Sequence, residues 1–296
     1  MADDHLLPKA RQMLGRPIEE RLSYIRKDSW IPYPRASEIL KQLEDLLNFP
    51  RCERMPNLAI AARTNNGKTR LIHHFLSKHS PSDNPEGNAI QVPALYLQCP
   101  GVPDEARLYD AILMKLCQKF RPTASAREKL PIVLKVLSEV GLRILAIDEA
   151  NYTESGSRDR QKTFLNALRY LGNELRISIV TLGTDEMMRV IRTVPAVENR
   201  FIPAFLPRWD CDKDYRQLLA SFERLLPLEL PSTLSGGEMS TLIYARSEGT
   251  IGETKMLLVS AAERAMKNGA KCITPDLIDA CGYFSPSKRK RQPAPV

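Results

Sequence analysis

The chain has 296 residues, a length typical of one large domain or two small ones. Apolar residues make up 43% and charged residues 26%, an ordinary globular balance that excludes fully disordered, collagen-like and coiled-coil proteins. Lys and Arg number 43 against 35 acidic residues, and the resulting net charge of +8 favours an anionic partner such as nucleic acid.

Two classes of protein are not expected from the pattern of apolar residues and cysteines. No apolar run approaches the roughly 18 residues of a membrane span, and Met1 to Gly15 contains charges but no apolar signal region. We therefore predict a cytoplasmic protein without a membrane partner. The 6 cysteines form no Cys-x-x-Cys pair and the chain has only 4 histidines, so free thiols are expected and a zinc site is not.

Residues 1–55 are predicted to form a helical extension with one break. The segments Ile18–Ile25 and Ala36–Leu47 have the amphipathic spacing of helices. The sequence Trp30-Ile31-Pro32-Tyr33-Pro34 lies between them, and two prolines this close together exclude a helix interior.

Residues 56–207 are predicted to form an α/β domain. Short apolar runs alternate with helical patterns, and runs without polar alternation are typical of a parallel sheet covered by helices on both faces. The predicted strands are Leu58–Ala61, Ala94–Leu97, Ile144–Ile147 and Ser178–Leu182. The predicted helices are Thr69–Ser77, Asp104–Lys119, Leu130–Val140 and Lys162–Leu171.

Residues 208–282 have helical patterns and no strand, which predicts a small all-helical second domain. Its predicted helices are Asp212–Leu226, Gly237–Ser247, Ile251–Lys267 and Thr274–Cys281. The final residues, 283–296, contain the run Lys288-Arg289-Lys290-Arg291 and no acidic residue, so we predict a disordered basic tail.

The segment Ala62-Arg63-Thr64-Asn65-Asn66-Gly67-Lys68-Thr69 follows an apolar run and begins a predicted helix. It matches the phosphate-loop pattern G-x-x-x-x-G-K-[ST] except at the first position, where Ala62 replaces glycine. Bound phosphates need backbone N–H donors at a helix N-terminus, and Gly67 lets the backbone approach them closely. Lys68 would contact the β- and γ-phosphates of ATP with its positive charge, and Thr69 would bind Mg²⁺ through its hydroxyl. The other residues assigned to nucleotide binding are Tyr33, Thr64, Asn65, Asn66 and Arg70.

Polar residues after the later strands complete the predicted catalytic site. Asp148 would hold Mg²⁺ through water, and Glu149 would polarise the attacking water as general base. Thr184 follows the fourth strand, where its hydroxyl would orient water beside the γ-phosphate. Arg200 is expected to face a neighbouring subunit and to neutralise charge on that subunit's γ-phosphate. An ordinary turn residue and a solvated arginine are the alternative interpretations of Thr184 and Arg200.

Together these features resemble AAA+ ATPases and, more narrowly, the TniB/TnsC family of transposition ATPases. The similarity extends over roughly residues 20–280. It is carried by the Trp-Ile-Pro-Tyr-Pro lead-in, Arg54-Met55-Pro56-Asn57, the Asn-Asn-Gly-Lys-Thr loop, Ile147-Asp148-Glu149, Leu182-Gly183-Thr184, Asn199-Arg200-Phe201 and Glu248-Gly249-Thr250-Ile251-Gly252.

The resemblance implies that ATP and Mg²⁺ are the cofactors and that DNA or partner proteins stimulate a slow hydrolysis of ATP. It implies a homo-oligomer, a ring or a helical filament, around double-stranded DNA. Family members recruit a DDE transposase of the TniA/TnsB type and respond to a target-selection protein of the TniQ type. The protein would then work in the bacterial cytoplasm, on the nucleoid when bound to DNA.

Three departures from the family pattern favour slow hydrolysis. Ala62 is not glycine, and Asn151 stands after Asp-Glu where many AAA+ proteins carry other polar residues. The helical domain has Gly252-Glu253 where an AAA+ lid often offers an arginine to the γ-phosphate. Lys255 is a candidate replacement for that arginine, though a weak one.

Candidate DNA contacts fall in two basic stretches. They are Lys119, Arg121, Arg127 and Lys129 before the third strand, and Arg158, Arg160 and Lys162 after Glu149. A solvated helix face is the alternative for each stretch, and the basic tail could bind DNA or the transposase. The chain shows no helix-turn-helix or zinc-finger pattern, so we expect the DNA backbone rather than the bases to be read.

Three other classes of function are alternatives to this interpretation. A nucleotide-gated scaffold with little hydrolysis is favoured by Ala62 and the missing lid arginine, whereas Lys68, Asp148 and Glu149 argue against it. A replication or helicase-loader-type AAA+ ATPase usually carries its own sequence-specific DNA-binding domain, and none is recognisable in the sequence. A signalling or toxin-defence NTPase is not expected, because it should show an appended sensor domain and the length of 296 residues excludes one.

Overall fold

A computed structural model describes residues 5–85, 87, 89–150 and 157–291. These residues separate into two compact units. The α/β unit comprises the described residues of Pro34–Thr64 and Lys68–Pro207, and the helical unit comprises the described residues of Met1–Tyr33, Asn65–Gly67 and Arg208–Val296. Within the described ranges, no helix combines the length and the apolar character needed to cross a membrane.

Strands and helices alternate through the first two thirds of the chain, and helices alone follow. The strands are β1 (Asn57–Ala62), β2 (Ala94–Gln98), β3 (Ile144–Asp148), β4 (Ser178–Gly183) and β5 (Phe201–Leu206). The helices are α1 (Pro8–Arg11), α2 (Ile18–Arg26), α3 (Pro34–Asn48), α4 (Lys68–Lys78), α5 (Glu105–Lys115), α6 (Ala126–Glu139), α7 (Arg158–Leu175), α8 (Asp185–Arg192), α9 (Pro195–Glu198), α10 (Lys213–Glu223), α11 (Gly237–Ser247), α12 (Ile251–Lys267), α13 (Pro275–Ala280) and α14 (Pro286–Arg291).

The strands form one parallel five-stranded sheet in the order β2-β3-β4-β1-β5. All residues of β1, β3 and β4 are buried, so both faces of the sheet centre are covered and the predicted α/β fold is confirmed. Ala61 lies opposite Gly183, and Ile147 lies opposite Thr181. The carboxyl ends of β1, β3 and β4 therefore meet at one edge, where parallel α/β sheets bind their ligands.

Strand β5 has no counterpart among the predicted strands. Its Ile202, Pro203 and Phe205 are exposed, so it lacks the continuous apolar burial of the central strands. Proline cannot donate a ladder hydrogen bond and is tolerated at sheet edges, where β5 lies with β1 as its one partner. Arg35 Nε donates to the carbonyl oxygen of Phe205 at 2.8 Å, which satisfies part of the free edge.

One apolar cluster forms the core of the α/β unit and fixes helix α7 against the sheet. Phe164, Leu168 and Leu171 recur at helical spacing on α7 and are buried with Ile147 of β3. Truncating a buried side chain of this size, such as Phe164→Ala, typically costs about 3–5 kcal/mol of folding free energy.

The helical unit has a separate core around Tyr215 of α10, which is fully buried. The Tyr215 hydroxyl lies 3.2 Å from Ser247 Oγ and 3.1 Å from Thr254 Oγ1, so the buried phenol has hydrogen-bond partners. Leu22 and Ile25 of α2 belong to the same cluster. The predicted extension 1–55 is accordingly divided, because residues up to 33 join the helical unit and later ones the α/β unit.

The prediction of a disordered tail is wrong for residues 283–291, because helix α14 forms over Pro286–Arg291 and Tyr283 before it is hydrogen-bonded. Tyr283 Oη donates to Glu253 Oε2 at 2.6 Å, and the Arg289 guanidinium pairs with the same carboxylate. Glu253 on α12 thus neutralises part of the basic run. Local composition does not reveal this partner, because it lies in another helix. Residues 292–296, the rest of that predicted tail, lie outside the described residues.

Candidate nucleotide-binding site

The loop between β1 and α4 places left-handed backbone at two positions. Asn65 has φ 61° and Gly67 has φ 89°. Ala62, in contrast, is the last residue of β1 and pairs in the sheet with Leu206. An extended strand residue needs no glycine, so the exchange of glycine for Ala62 leaves the turn of the phosphate loop undisturbed.

Lys68 begins helix α4 and is 6% exposed. Its Nζ donates to the carbonyl oxygens of Ala62 at 2.9 Å and Arg63 at 3.1 Å. Burial lowers the pKa of Lys68, and the negative charges of Glu149 and Asp148 act in the opposite direction. The ammonium group is thereby held inside the loop that would enclose phosphates.

Asp148 ends β3 and is 1% exposed, and its orientation is fixed by three donors. Its Oδ2 accepts from Thr69 Oγ1 at 2.6 Å and from Tyr96 Oη at 2.9 Å. Its Oδ1 accepts from the backbone N–H of Glu149 at 2.8 Å. The structure therefore brings together the predicted metal residues Thr69 and Asp148.

Sequence reasoning missed Tyr96, which lies on β2 opposite Ala146 of β3. Burial and then the Asp148 carboxylate raise the pKa of Tyr96, so the phenol stays protonated and remains a donor. The sequence did contain a signal, because Tyr96 is the one side chain with a polar group in the apolar run Ala94–Leu97. A buried phenol needs a hydrogen-bond partner.

Glu149 follows β3 and is half-buried, with φ 54°. Left-handed backbone in a residue other than glycine costs on the order of 1–3 kcal/mol and concentrates at functional sites. The left-handed backbone thus fixes Glu149 next to Asp148, whose Oδ1 accepts from its N–H. Asn151, which departs from the family pattern, lies outside the described residues.

The donors at this edge of the sheet fit Mg²⁺. Thr69 and Asp148 offer oxygen atoms, which Mg²⁺ prefers, and a pair of protein donors suits an ion that also binds substrate phosphates and water. When bound, Mg²⁺ would neutralise charge on the phosphates. The chain itself supplies the buried ammonium of Lys68 and the turn at Gly67.

The other predicted residues of the α/β unit differ in their surroundings. Thr184 follows β4, which pairs with β1, and its hydroxyl donates to the carboxylate of Glu186. That hydrogen bond lowers the pKa of Glu186. The Thr184 hydroxyl therefore binds a residue of helix α8, which is consistent with the alternative interpretation of Thr184 as a turn residue. Thr64 is exposed, and Arg70 is half-buried on α4.

The tip of the phosphate loop, Asn65–Gly67, packs with the helical unit. Gly252 N–H donates to the carbonyl oxygen of Asn65 at 3.0 Å, and Asn65 Nδ2 donates to Glu253 Oε1 at 2.9 Å. A Cβ atom on Gly252 would lie 2.7 Å from the same carbonyl oxygen, so a larger residue does not fit. Gly252-Glu253, a departure from the AAA+ pattern, thus binds the loop tip directly.

Glu253 joins that loop tip to the C-terminal segment, because it also accepts from Tyr283 and pairs with Arg289. Burial alone would raise the pKa of Glu253, but the hydrogen bonds from Arg289, Tyr283 and Asn65 lower it overall. The carboxylate therefore stays ionised. Lys255, the candidate for the missing lid arginine, donates instead to Asp28 Oδ1 at 3.0 Å.

Tyr33 forms an edge-to-face pair with Trp209, with ring centroids 4.9 Å apart. Burial raises the pKa of Tyr33 to about 12. A Cβ atom on Gly67 would lie 3.9 Å from the Tyr33 hydroxyl, so this aromatic pair adjoins the loop tip. Aromatic rings provide stacking surfaces for nucleobases, so Trp209 is a candidate contact for the base of a bound nucleotide. Sequence reasoning missed this residue.

Comparison with known proteins identifies the family of the chain. The family model of the bacterial TniB protein matches residues 21–211, which is more than half of the chain. The chain belongs to the TniB family. Among curated protein sequences, no match was found.

Solved structures similar to this TniB-family chain share the AAA+ ATPase fold. The Aeropyrum pernix ORC2 protein is 16% identical with a TM-score of 0.62, over 87% of this chain and 70% of that one. The Aeropyrum pernix ORC1 protein, solved in complex with DNA, is 18% identical with a TM-score of 0.55, over 88% and 68%. The Thermotoga maritima RuvB Holliday junction branch migration motor is 15% identical with a TM-score of 0.54, over 87% and 72%. Identities this low establish the fold of the TniB-family chain and leave its partners to be argued from its own residues.

In this TniB-family chain, Arg200 lies at the sheet edge opposite to Lys68. The carbonyl oxygen of Arg200 accepts from Asn57 N–H at 2.9 Å, at the amino end of β1, whereas Lys68 follows the carboxyl end. The 6 residues of β1 span roughly 17–20 Å. That distance exceeds the reach of an arginine side chain, so Arg200 does not serve the phosphate loop of its own chain.

The structure contradicts one of the predicted DNA contacts. Lys129 is 2% exposed, and its Nζ lies 2.7 Å from Asp110 Oδ1 and donates to the carbonyl oxygen of Pro122 at 3.0 Å. It is a buried ion-pair partner in the TniB-family fold and is not available to DNA. The prediction failed because Asp110 lies on α5, a separate helix, and its proximity is set by the tertiary fold.

The other basic candidates are exposed. They are Lys119, Arg121, Arg127, Arg158, Arg160 and Lys162. Arg121 pairs with Glu128, whereas no acidic partner of Arg158, Arg160 or Lys162 occurs among the described residues. The latter three lie in the first turns of α7, where positive charge opposes the helix dipole. Asp159 of the same turn and the Ser157 cap, whose side chain accepts from Arg160 N–H, stabilise the start of the helix instead.

Proposed function

We propose that this chain is an ATP-dependent, sequence-independent DNA-binding regulator of transposition. In this proposal it assembles as a ring or filament on target DNA, recruits a DDE transposase of the TniA/TnsB type and responds to a TniQ-type target selector. Membership of the TniB family and the basic net charge support it. A place in the bacterial cytoplasm, on the nucleoid, follows from the same proposal.

The observation that carries the ATPase part is the arrangement around Asp148. Lys68 is buried inside the loop, Thr69 donates to Asp148, and Tyr96 and the Glu149 backbone fix that carboxylate. A hydroxyl and a carboxylate held 2.6 Å apart behind a phosphate loop suit a nucleoside triphosphate with Mg²⁺. Glu149 would then take the proton of the attacking water.

A scaffold with little hydrolysis is the second candidate, and a specific observation favours it. Glu253 stands where an AAA+ lid often offers an arginine, and Lys255 is paired with Asp28. Neither residue is a free cation for the γ-phosphate, which favours slow turnover. The ORC-like fold does not support the replication or helicase-loader alternative, because fold similarity at 16% sequence identity is not evidence of a shared function.

The position of Arg200 supports a role in trans. We expect Arg200→Ala to lower hydrolysis per subunit by on the order of 10³-fold, while dilute protein still binds ATP. Mixing Arg200→Ala with Lys68→Ala should restore activity, because one variant keeps an intact phosphate loop and the other an intact Arg200. Steady-state phosphate release on long duplex DNA measures both effects.

The control for this mixing experiment is Arg107→Ala, which removes an exposed arginine of α5 and should leave hydrolysis unchanged. If the two inactive variants assemble together on DNA and no activity returns, Arg200 does not act in trans. A solvated arginine would then be the correct interpretation.

DNA binding is expected to require ATP, to ignore sequence and to weaken steeply with salt, because phosphate contacts release counterions. Replacing Arg158, Arg160 and Lys162 together by alanine should reduce the salt slope by about 0.9 for every DNA phosphate that these side chains neutralise. Fluorescence anisotropy with labelled duplexes measures that slope. An affinity that does not change between about 50 and 200 mM salt would contradict recognition of the DNA backbone.

A further inference from the structure

Tyr96 faces the candidate site from strand β2 and lies outside the apolar core. Gln98 of β2 lies opposite Asp148 of β3, and residues two apart on a strand share a face of the sheet. Tyr96 and Asp148 therefore lie on the same face. The neighbours of Tyr96 on β2, Leu95 and Leu97, face the other side, where they are buried in the core of the α/β unit.

Helix α4 holds the ring of Tyr96 in place. The imidazole of His73 packs against this ring, with ring centroids 4.6 Å apart. Thr69 and His73 are four residues apart on α4, so they lie on one face of the helix. One helix thus supplies a hydroxyl donor to Asp148 and the surface against which a second donor rests.

The hydroxyl of Tyr96 is what distinguishes it from phenylalanine at this position. A phenylalanine ring would pack against His73 equally well and would need no hydrogen-bond partner. The Tyr96 hydroxyl instead donates to Asp148 Oδ2 at 2.9 Å, a carboxylate that already accepts from Thr69. Packing therefore accounts for the ring, and the effect on Asp148 accounts for the hydroxyl.

The donors around Asp148 limit how this carboxylate can contact a metal ion. An ionised carboxylate has about four lone-pair sites on its two oxygens, and three donors leave about one of them. Oδ2 accepts from both Thr69 and Tyr96, and Oδ1 accepts from the N–H of Glu149. Contact of an ion with both oxygens at once is thereby blocked, and Oδ2 has no lone pair left for direct contact.

Divalent cations differ in what they require from such a carboxylate. Mg²⁺ gives up its waters reluctantly, so a carboxylate that contacts it through water is sufficient. Ca²⁺ takes about 6–8 oxygen ligands and binds carboxylates directly, through one or both oxygens. A carboxylate whose oxygens are already occupied by donors therefore suits Mg²⁺ and disfavours Ca²⁺.

We propose that Tyr96 sets the metal specificity of this site, because its hydroxyl occupies Asp148 Oδ2 and so selects Mg²⁺ over Ca²⁺. Tyr96 is a positioning residue, which acts through Asp148 and does not itself contact the ion. The inference rests on the proposed function, because the ion is bound together with the phosphates of a nucleotide. It adds a residue of β2 that determines which ion accompanies the nucleotide.

The test measures metal affinity and does not depend on turnover. The full chain is mixed with ADP and Mn²⁺, and the electron paramagnetic resonance signal of free Mn²⁺ is followed while Mg²⁺ or Ca²⁺ displaces the bound ion. Tyr96→Phe should lower the ratio of the Mg²⁺ affinity to the Ca²⁺ affinity about tenfold, an effect typical of removing a side chain that orients a metal-binding carboxylate. The matched control Tyr170→Phe removes an exposed hydroxyl from α7 and should leave the ratio unchanged.

A second comparison shows whether Tyr96 acts through Asp148. The ratio is measured for Asp148→Asn and for the double variant that also carries Tyr96→Phe. Two residues that act through one contact are not additive, so the second substitution should leave the ratio of Asp148→Asn unchanged. Thermal unfolding of each variant shows that a change in affinity is not caused by misfolding.

Each contrary result identifies a different failure. If Tyr96→Phe lowers both affinities equally or changes neither, Tyr96 only packs or is dispensable, so the inference is overturned and the proposed function stands. If the ratio falls about tenfold in the Asp148→Asn background as well, Tyr96 does not act through Asp148 and the inference is again overturned. If the parent chain binds ADP with none of the three ions, the proposed function fails and the inference fails with it.

Discussion

Replacing Lys68 with alanine is expected to lower the affinity for ATP about 100-fold. The ammonium group is buried within the phosphate loop, where it would contact the β- and γ-phosphates of bound ATP. A charge-assisted hydrogen bond contributes about 1.5–3 kcal/mol, so the loss of one strong bond to phosphate accounts for a change of that size. Isothermal titration calorimetry with a non-hydrolysed ATP analogue measures it directly.

Lys78→Ala is the matched control, since Lys78 ends the same helix α4 and is exposed. Both variants lose one positive charge, but only Lys68 lies at the phosphate loop. Equal affinities for Lys68→Ala and the parent would mean that the loop does not bind nucleotide. Far-UV circular dichroism verifies that α4 still forms when Lys68 no longer donates to Ala62 and Arg63.

Glu149→Gln is expected to leave ATP binding unchanged and to lower hydrolysis by on the order of 10²–10⁴-fold, the usual contribution of a general base. Glutamine keeps the length and the left-handed backbone of Glu149 and removes only the group that takes the proton. Single-turnover phosphate release in the presence of DNA measures the chemical step. A parent rate in Glu149→Gln would rule out this residue as the base.

Two further variants separate chemistry from backbone strain at this position. Glu238→Gln neutralises an exposed glutamate of α11 and should leave hydrolysis unchanged. Glu149→Gly should also abolish hydrolysis, but it should raise the thermal midpoint slightly, because glycine adopts φ 54° without penalty. Unchanged turnover in all three variants would instead favour the nucleotide-gated scaffold, whose residual hydrolysis does not depend on a base.

The sheet centre and the phosphate loop could be predicted because their signals are local. Strands β1, β3 and β4 are buried on both faces and therefore appear as continuous apolar runs. The loop places its special backbone at Asn65 and Gly67, two residue types that tolerate left-handed geometry. Strand β5 lacked such a signal because it lies at an edge, contains Pro203 and is exposed on one side.

The predictions that failed depend on partners far away in the sequence. Lys129 resembles a solvated cation until the fold brings Asp110 within 2.7 Å of it. The basic tail resembles a disordered segment until Glu253 accepts from Tyr283 and pairs with Arg289. Charge alone predicts solvent exposure, and only the tertiary fold decides which charges find a buried counterion.

The sheet of the α/β unit has a direction, and this direction orients the copies in the proposed assembly. Lys68 and Arg200 lie at opposite ends of β1, so a copy that offers Arg200 to another copy's ATP must set the amino edge of its sheet beside the carboxyl edge of the other sheet. An antiparallel twofold pair returns this contact and completes two sites within one dimer. Head-to-tail repetition of the same contact instead closes into a ring or continues as a polar helix, and each end of an open polymer then exposes a different half of the active site.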